Sequence, residues 1–349
     1  MVEHLVYTEG VKGSSPLLPT KYSKKKRGGV AQFVRAIACH AIGRGFESLH
    51  SRHIQFLARK ELLIKVMYYK KILIFIYKKI SSLYVFLFGR KQMQFFNDFI
   101  LSLSLDGKGY KNYGNFDRTG EKNFIKLIKK DLNFCIDIGA NTGKYTNLLL
   151  SETNAKVYSF EPLPAAFREL EKLKLKFSER LDIFNTAIGL EDTISDLFYG
   201  DEKSEKASLI ENLEELSFIG KQNKNKISIN VKKLDFYENL FQTKIIDFIK
   251  IDTEGFEYEV LCGAQKTIKD HRPKFIQIEF NWHQLIKNQT LYNFSKILKG
   301  YEVFRLLPYG SKLLHVDPSR PENNIYHLSN YVFIRSDISE KYKWKKLKN

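Results

Sequence analysis

The sequence predicts an α/β protein whose larger, C-terminal part is a mostly parallel, doubly wound sheet, with an N-terminal third that is helical or disordered. Three observations point there. From about Asn133 short apolar runs alternate with stretches of helical period, the signature of successive βα units. Glycines and acidic residues gather where those runs end, and open α/β sheets bind ligands at that edge. The basic charge is also unevenly spread: residues 1–116 hold 20 Lys+Arg against 6 Asp+Glu, whereas the remaining 233 residues hold 37 against 33. The net charge of +18 therefore belongs mainly to the N-terminal third and gives no reason to expect nucleic-acid binding by the sheet. With 43% hydrophobic and 28% charged residues, the chain has ample apolar material for a buried core.

In chain order, residues 1–53 show no apolar repeat longer than a turn. VAQFVRAIACHAIGRGFESLHSR (30–52) resembles the conceptual translation of a tRNA gene. V-A-Q fits GTA-GCT-CAG of a D-arm, and G-F-E-S fits GG(N)-TTC-GAA-TC(N) of a T-arm. KGSSPLLPT (12–20) fits the end of a second such gene in another frame. Residues 1–53 are thus expected to be a non-native or disordered extension, with Met67 the start of the native chain. Residues 54–116 form a basic, apolar, helical segment. Between Ile72 and Phe88 it is strongly apolar, but Lys78-Lys79 falls in the middle, where paired charges would oppose a membrane span. Two arrangements satisfy the pattern. Residues 68–91 could lie on an anionic membrane surface with Lys70, Lys71, Lys78, Lys79, Arg90 and Lys91 toward the headgroups, or pack on the following domain with the lysines in solvent. The expected location is cytoplasmic, at the inner membrane face if the helix docks there.

Residues 117–335 are expected to form the catalytic domain, with a basic tail at 336–349. FCIDIG (134–139) reads as the first buried strand and KYTNLLLSE as its helix; KVYSFEP (156–162) and AAFRELEKLKLKF follow as the next pair. LDIFNTAIG (181–189) is a third strand, IIDFIKID (245–252) a fourth leading into the helix EYEVLCGAQKTIKD, and KFIQIEF (274–280) a fifth. ISDLFYG (194–200) and KISINVKKLD (226–235) suggest an inserted hairpin or edge strands, and YEVFRLL (301–307) and SNYVFIR (329–335) an antiparallel pair at one edge. Cys135 and Cys262 lie inside apolar segments and read as reduced, packed thiols.

The strand ends carry the chemistry. In Asp137-Ile138-Gly139-Ala140-Asn141-Thr142-Gly143 the two glycines allow a tight turn and close approach of a ligand to a helix N-terminus. The spacing lacks the third glycine of a dinucleotide fingerprint, which weakens that assignment. Glu161 ends the second strand, where an acidic side chain can accept both hydroxyls of a ribose.

The segments CIDIGANTGKYT, VYSFEPLPAAF, NTAIG and above all IKIDTEGFEYEVLCGA resemble the FkbM family of S-adenosylmethionine-dependent methyltransferases over residues 117–335. The resemblance implies a class I methyltransferase fold, a seven-stranded sheet with a reversed last hairpin, and O-methylation of a sugar, glycan or related natural product. It places Asp137, Gly139, Asn141 and Gly143 at the methionine end and sugar of the cofactor, Glu161 at the ribose hydroxyls, and Thr186, Ala187 and Ile188 near the adenine.

Methyl transfer from a sulfonium is an in-line displacement, and an attacking hydroxyl must lose its proton to a base within hydrogen-bond reach. Asp252, Glu254, Glu279 and His283 stand at the ends of the fourth and fifth strands. Asp252 and Glu254 are expected to shape the site, with Glu279 or His283 as base. His283 also suits a helix-capping role. Asp252 with Glu279 or Asn281 offers hard oxygen ligands for Mg²⁺ on spacing alone, and no metal is expected. Asp252-Thr253-Glu254-Gly255 stands where nitrogen methyltransferases carry an Asn/Asp-Pro-Pro-aromatic run, which disfavours N-methylation. A non-catalytic, basic membrane- or RNA-binding protein is the remaining alternative.

Overall fold

The computed structural model describes residues 49–200, 207–210, 225–241, 245–310 and 313–343. The chain divides into two compact units, Met1–Gly89 and Arg90–Asn349. The boundary therefore falls before the predicted one at 116/117. The reason is packing: the Arg305 guanidinium, fully buried, lies 4.1 Å from the Tyr110 ring centroid, and Tyr110 Oη donates to Glu322 O at 2.7 Å. Asn112 N adds a bond to Leu328 O at 3.1 Å. The proposed tRNA-derived stretch, apart from residues 49–53, lies outside the described residues.

In the first unit the helix Leu49–Phe88 runs for 40 residues. Among the described residues no single helix is long and apolar enough to cross a membrane; Tyr68–Phe88 and Lys91–Gly107 reach that mark only as a bent pair.

The second unit is built on an eight-stranded sheet. Its strands are β1 (Phe134–Ile138), β2 (Lys156–Phe160), β3 (Leu181–Phe184), β7 (Phe248–Ile251), β8 (Phe275–Phe280), β9 (Tyr301–Leu306), β10 (Leu313–His315) and β11 (Ser329–Arg335). The spatial order is β10-β9-β11-β8-β7-β1-β2-β3. Strands β3, β2, β1, β7 and β8 pair in parallel, as expected of βα units. β11 runs antiparallel to both β8 and β9, so it inserts between them as a reversed strand, as expected of the last hairpin. Two details depart from expectation. The β9–β11 pair is not at the edge, and the short β10 adds an eighth strand outside it.

A second sheet holds β4 (Ala187–Ile188), β5 (Thr193–Tyr199) and β6 (Asn225–Lys232) in the order β4-β6-β5. The run LDIFNTAIG thus splits into β3 and β4, because Asn185-Thr186 breaks the ladder and β4 turns to pair with β6. The predicted helix after β7 also breaks, into Glu257–Cys262 and Gln265–His271. There a Cβ on Gly263 would stand 1.9 Å from Gly189 O, so the chain passes too close for a side chain. The basic tail begins as the helix Ser336–Lys343.

Alternation along β1 sends Phe134, Ile136 and Ile138 into one core cluster and Cys135 into the other, on opposite faces of the main sheet. Cys135 and Cys262 are free thiols. From β1 the chain proceeds outward through β2 and β3, then returns to place β7 on the other side of β1. This reversal is the switch point, and the loops after β1 and β7 meet there.

Candidate active site

The two switch-point loops are pressed together. A Cβ on Gly139 would lie 1.8 Å from Asp252 O, so only glycine lets the loops pass. Left-handed backbone concentrates at the same place: Gly139 (φ 80), Asn141 (φ 49), Gly143 (φ 80), Glu254 (φ 50) and Gly255 (φ 105). Strain tolerated in two adjoining loops is a mark of a functional site.

On the β1–β2 side, Glu161 is 5% exposed and its carboxylate is held by two backbone amides. Asn141 N donates to Oε2 and Leu163 N to Oε1, each at 2.8 Å. Each oxygen keeps a further lone pair, which suits a pair of ribose hydroxyls. Burial pushes its pKa up to about 7, against the pull of those two amides. Asp137, expected at the methionine end of the cofactor, is 1% exposed; its Oδ2 accepts from Thr146 Oγ1 at 2.6 Å, and burial raises its pKa to about 6. It ties β1 to the helix Lys144–Glu152. Ala187, expected near the adenine, packs with Leu163, Leu197 and Val231 in the core of the small sheet, because β4 has left the main sheet. Asn185 is the residue of that turn that reaches the site's frame, with Nδ2 donating to Glu161 O at 2.9 Å.

On the β7–β8 side all four candidate catalytic residues converge. Single carboxylate oxygens of Asp252, Glu254 and Glu279 lie within 4.8 Å of one another. The strand ends at Ile251, so Asp252 and Glu254 do not share a strand face; the left-handed turn at Glu254 brings them together instead. Ser208 Oγ fixes that turn by donating to Glu254 O at 2.7 Å. Asn281 links the two candidate bases, with Nδ2 donating to Glu279 Oε1 at 2.8 Å and Oδ1 standing 2.7 Å from His283 Nδ1. An amide oxygen there places the ring proton on Nδ1 and leaves Nε2 as the basic nitrogen. Burial lowers the His283 pKa to about 3, so the ring is neutral. Nδ1 is also 3.6 Å from Glu254 Oε2. Burial, then the charges of Glu279 and Asp252, raise Glu254 well above the ordinary carboxylate range, and burial, then the charge of Asp252, do the same to Glu279.

Sequence reasoning missed the groups that hold this cluster. Lys250, on β7 and 2% exposed, donates from Nζ to Asp252 Oδ2 at 2.7 Å. Burial opposes its charge, but Asp252, Glu121 and Glu279 outweigh it and keep the ammonium protonated. The signal was a lysine inside the otherwise apolar run FIKI. This ammonium offsets part of the repulsion among the carboxylates. Glu257 Oε1 accepts from Thr253 N at 2.8 Å and Gly255 N at 3.2 Å, bracing the β7 loop, and Gln284 Nε2 caps its other oxygen. Burial, then the charges of Glu279 and Glu254, raise the Tyr113 phenol, so it lies within electrostatic reach of the cluster.

Residues 137–301 match the family model for the methyltransferase FkbM domain. A protein of Beauveria bassiana (strain ARSEF 2860) named methyltransferase 1 is 24% identical over 147 residues, 38% of this chain. The match covers 59% of that relative's length. Among solved structures, a putative methyltransferase from Streptococcus mutans in complex with SAH aligns with 11% identity and a TM-score of 0.34, covering 60% of this chain and 93% of that one. A precorrin-6y C5,15-methyltransferase from Geobacter metallireducens GS-15 aligns with 12% identity and a TM-score of 0.33, covering 62% and 89%.

Proposed function

From the match of residues 137–301 to the methyltransferase FkbM family model, we propose that the chain transfers a methyl group from S-adenosylmethionine to a hydroxyl of a sugar, glycan or related natural product. The single observation that carries the hydroxyl acceptor is the cluster of Asp252, Glu254, Glu279 and His283 across the switch point from Glu161.

The residues fit the cofactor. Glu161 would hold the ribose hydroxyls, and the loop of Gly139, Asn141 and Gly143 the sugar and methionine end. When bound, S-adenosylmethionine supplies a methyl group activated on a sulfonium. An acceptor hydroxyl attacking that methyl group would have to give up its proton to the protein. Glu279 and His283 are the groups placed to take it. Burial raises the Glu279 pKa, which makes its carboxylate a stronger proton acceptor once ionised, and His283 presents a neutral Nε2. Lys250 stabilises the ionised form of the cluster.

The test is a methyl-transfer assay with labelled S-adenosylmethionine against a panel of sugar and glycan hydroxyls, with products located by mass spectrometry. Glu279→Gln is expected to lower kcat by about 10² or more while cofactor affinity stays the same. A product methylated on nitrogen, or full turnover by Glu279→Gln and His283→Ala alike, would overturn the assignment.

A further inference from the structure

The segment Tyr68–Phe88 of the first unit stands apart from the catalytic chemistry. At 3.6 residues per turn, Tyr69, Leu73, Ile76, Ile80, Leu83 and Leu87 recur at alternating spacings of four and three and fall on one side of the helix. Lys70, Lys71 and Lys78, with Ser81 and Ser82, fall on the other half together with Ile74 and Val85, and Lys79 lies at the border between the two. The apolar side is in the open, with Leu73 65%, Ile80 62% and Leu83 59% exposed. Phe75 and Phe86, 62% and 70% exposed, sit among the lysines, where rings flank a boundary between apolar and wet surroundings.

We propose that this helix lies in the surface of an anionic lipid bilayer, its leucine and isoleucine side among the acyl chains and its lysines at the headgroups. Charge selects this occupant. Residues 68–91 contain six Lys and Arg and no Asp or Glu. The four-three spacing would also suit a two-stranded coiled coil, but a second copy would bring only lysines alongside lysines, with no acidic partner. A bilayer carrying acidic lipids supplies the missing negative charge. Lys78-Lys79 at the middle of the apolar run argue for lying along the surface instead of spanning it. The proposal does not depend on the methyl-transfer assignment.

Vesicle flotation of the full chain tests it, with vesicles of phosphatidylcholine alone or mixed with phosphatidylglycerol, at low and high salt. Binding to the mixed vesicles is expected to exceed binding to phosphatidylcholine by at least about tenfold, and to fall at high salt. Lys70→Glu/Lys71→Glu/Lys78→Glu/Lys79→Glu is expected to abolish the difference, and Leu73→Ser/Ile80→Ser/Leu83→Ser to weaken binding to both. A cooperative thermal unfolding transition at the parent's Tm reports that each variant's second unit is folded, and circular dichroism reports the helix. Equal binding to both vesicle types, or a charge-reversed variant that binds like the parent, would overturn the proposal. So would a dimer that dissociates on Leu73→Ser/Ile80→Ser/Leu83→Ser in a chain that binds no vesicles, since a second copy would then cover the face.

Discussion

Glu161 combines a proton equilibrium with the position proposed for the cofactor's ribose. Its pKa rises from 4.5 to about 7 on folding, so the folded protein holds this proton more tightly than the unfolded chain does. The stability it contributes is full below about pH 4.5 and is lost as pH rises through about 7. Ribose hydroxyls donate to the ionised form, so cofactor binding should run the other way, tightening as pH climbs to 7 and levelling above it. Calorimetry between about pH 6 and 8 checks this. Glu161→Gln should bind at least about tenfold more weakly and lose the slope. A slope that survives would assign the proton to Asp137 or Glu257, whose pKa values burial lifts to about 6. The type and place of Glu161 were legible in the sequence, because a strand end fixes where its side chain goes. Lys250 was not, since a buried lysine makes sense only once the carboxylates of two other segments surround it.

Among the elements, the loops after β1 and β7 decide the geometry. Gly139→Ala would push a methyl into Asp252 O at 1.8 Å and impose a left-handed backbone at φ 80. Gly300, at φ 87 with nothing within 4 Å, isolates the second effect. Gly300→Ala should cost about 1 kcal/mol and Gly139→Ala on the order of 3 kcal/mol or more. Thermal unfolding distinguishes them, as a fall in Tm of a few degrees against roughly 6 °C or more. Equal shifts would show that the loops can part. The parallel strands were readable because buried parallel strands are continuous apolar runs bounded by turns. The split of LDIFNTAIG was not, because no local signal at Asn185-Thr186 says that the next two residues pair with β6, about forty positions on. The eighth strand, β10, is three residues long and leaves no periodic trace.

At the scale of the whole molecule, the catalytic candidates and the expected cofactor residues all belong to the unit Arg90–Asn349, whereas the basic, apolar helix belongs to the other. The charge split in the sequence suggested a boundary at 116/117. Its position was misjudged because residues 105–116 are held by Arg305 and Leu328 far along the chain. The central claim is that the switch point between β1 and β7 binds S-adenosylmethionine with its ribose on Glu161. Titrating S-adenosylmethionine into the full chain and into Glu161→Ala tests it most directly. The account predicts saturable one-to-one binding that Glu161→Ala weakens at least about tenfold and Glu279→Gln leaves unchanged. No binding by the parent chain, or equal binding by Glu161→Ala, would contradict it.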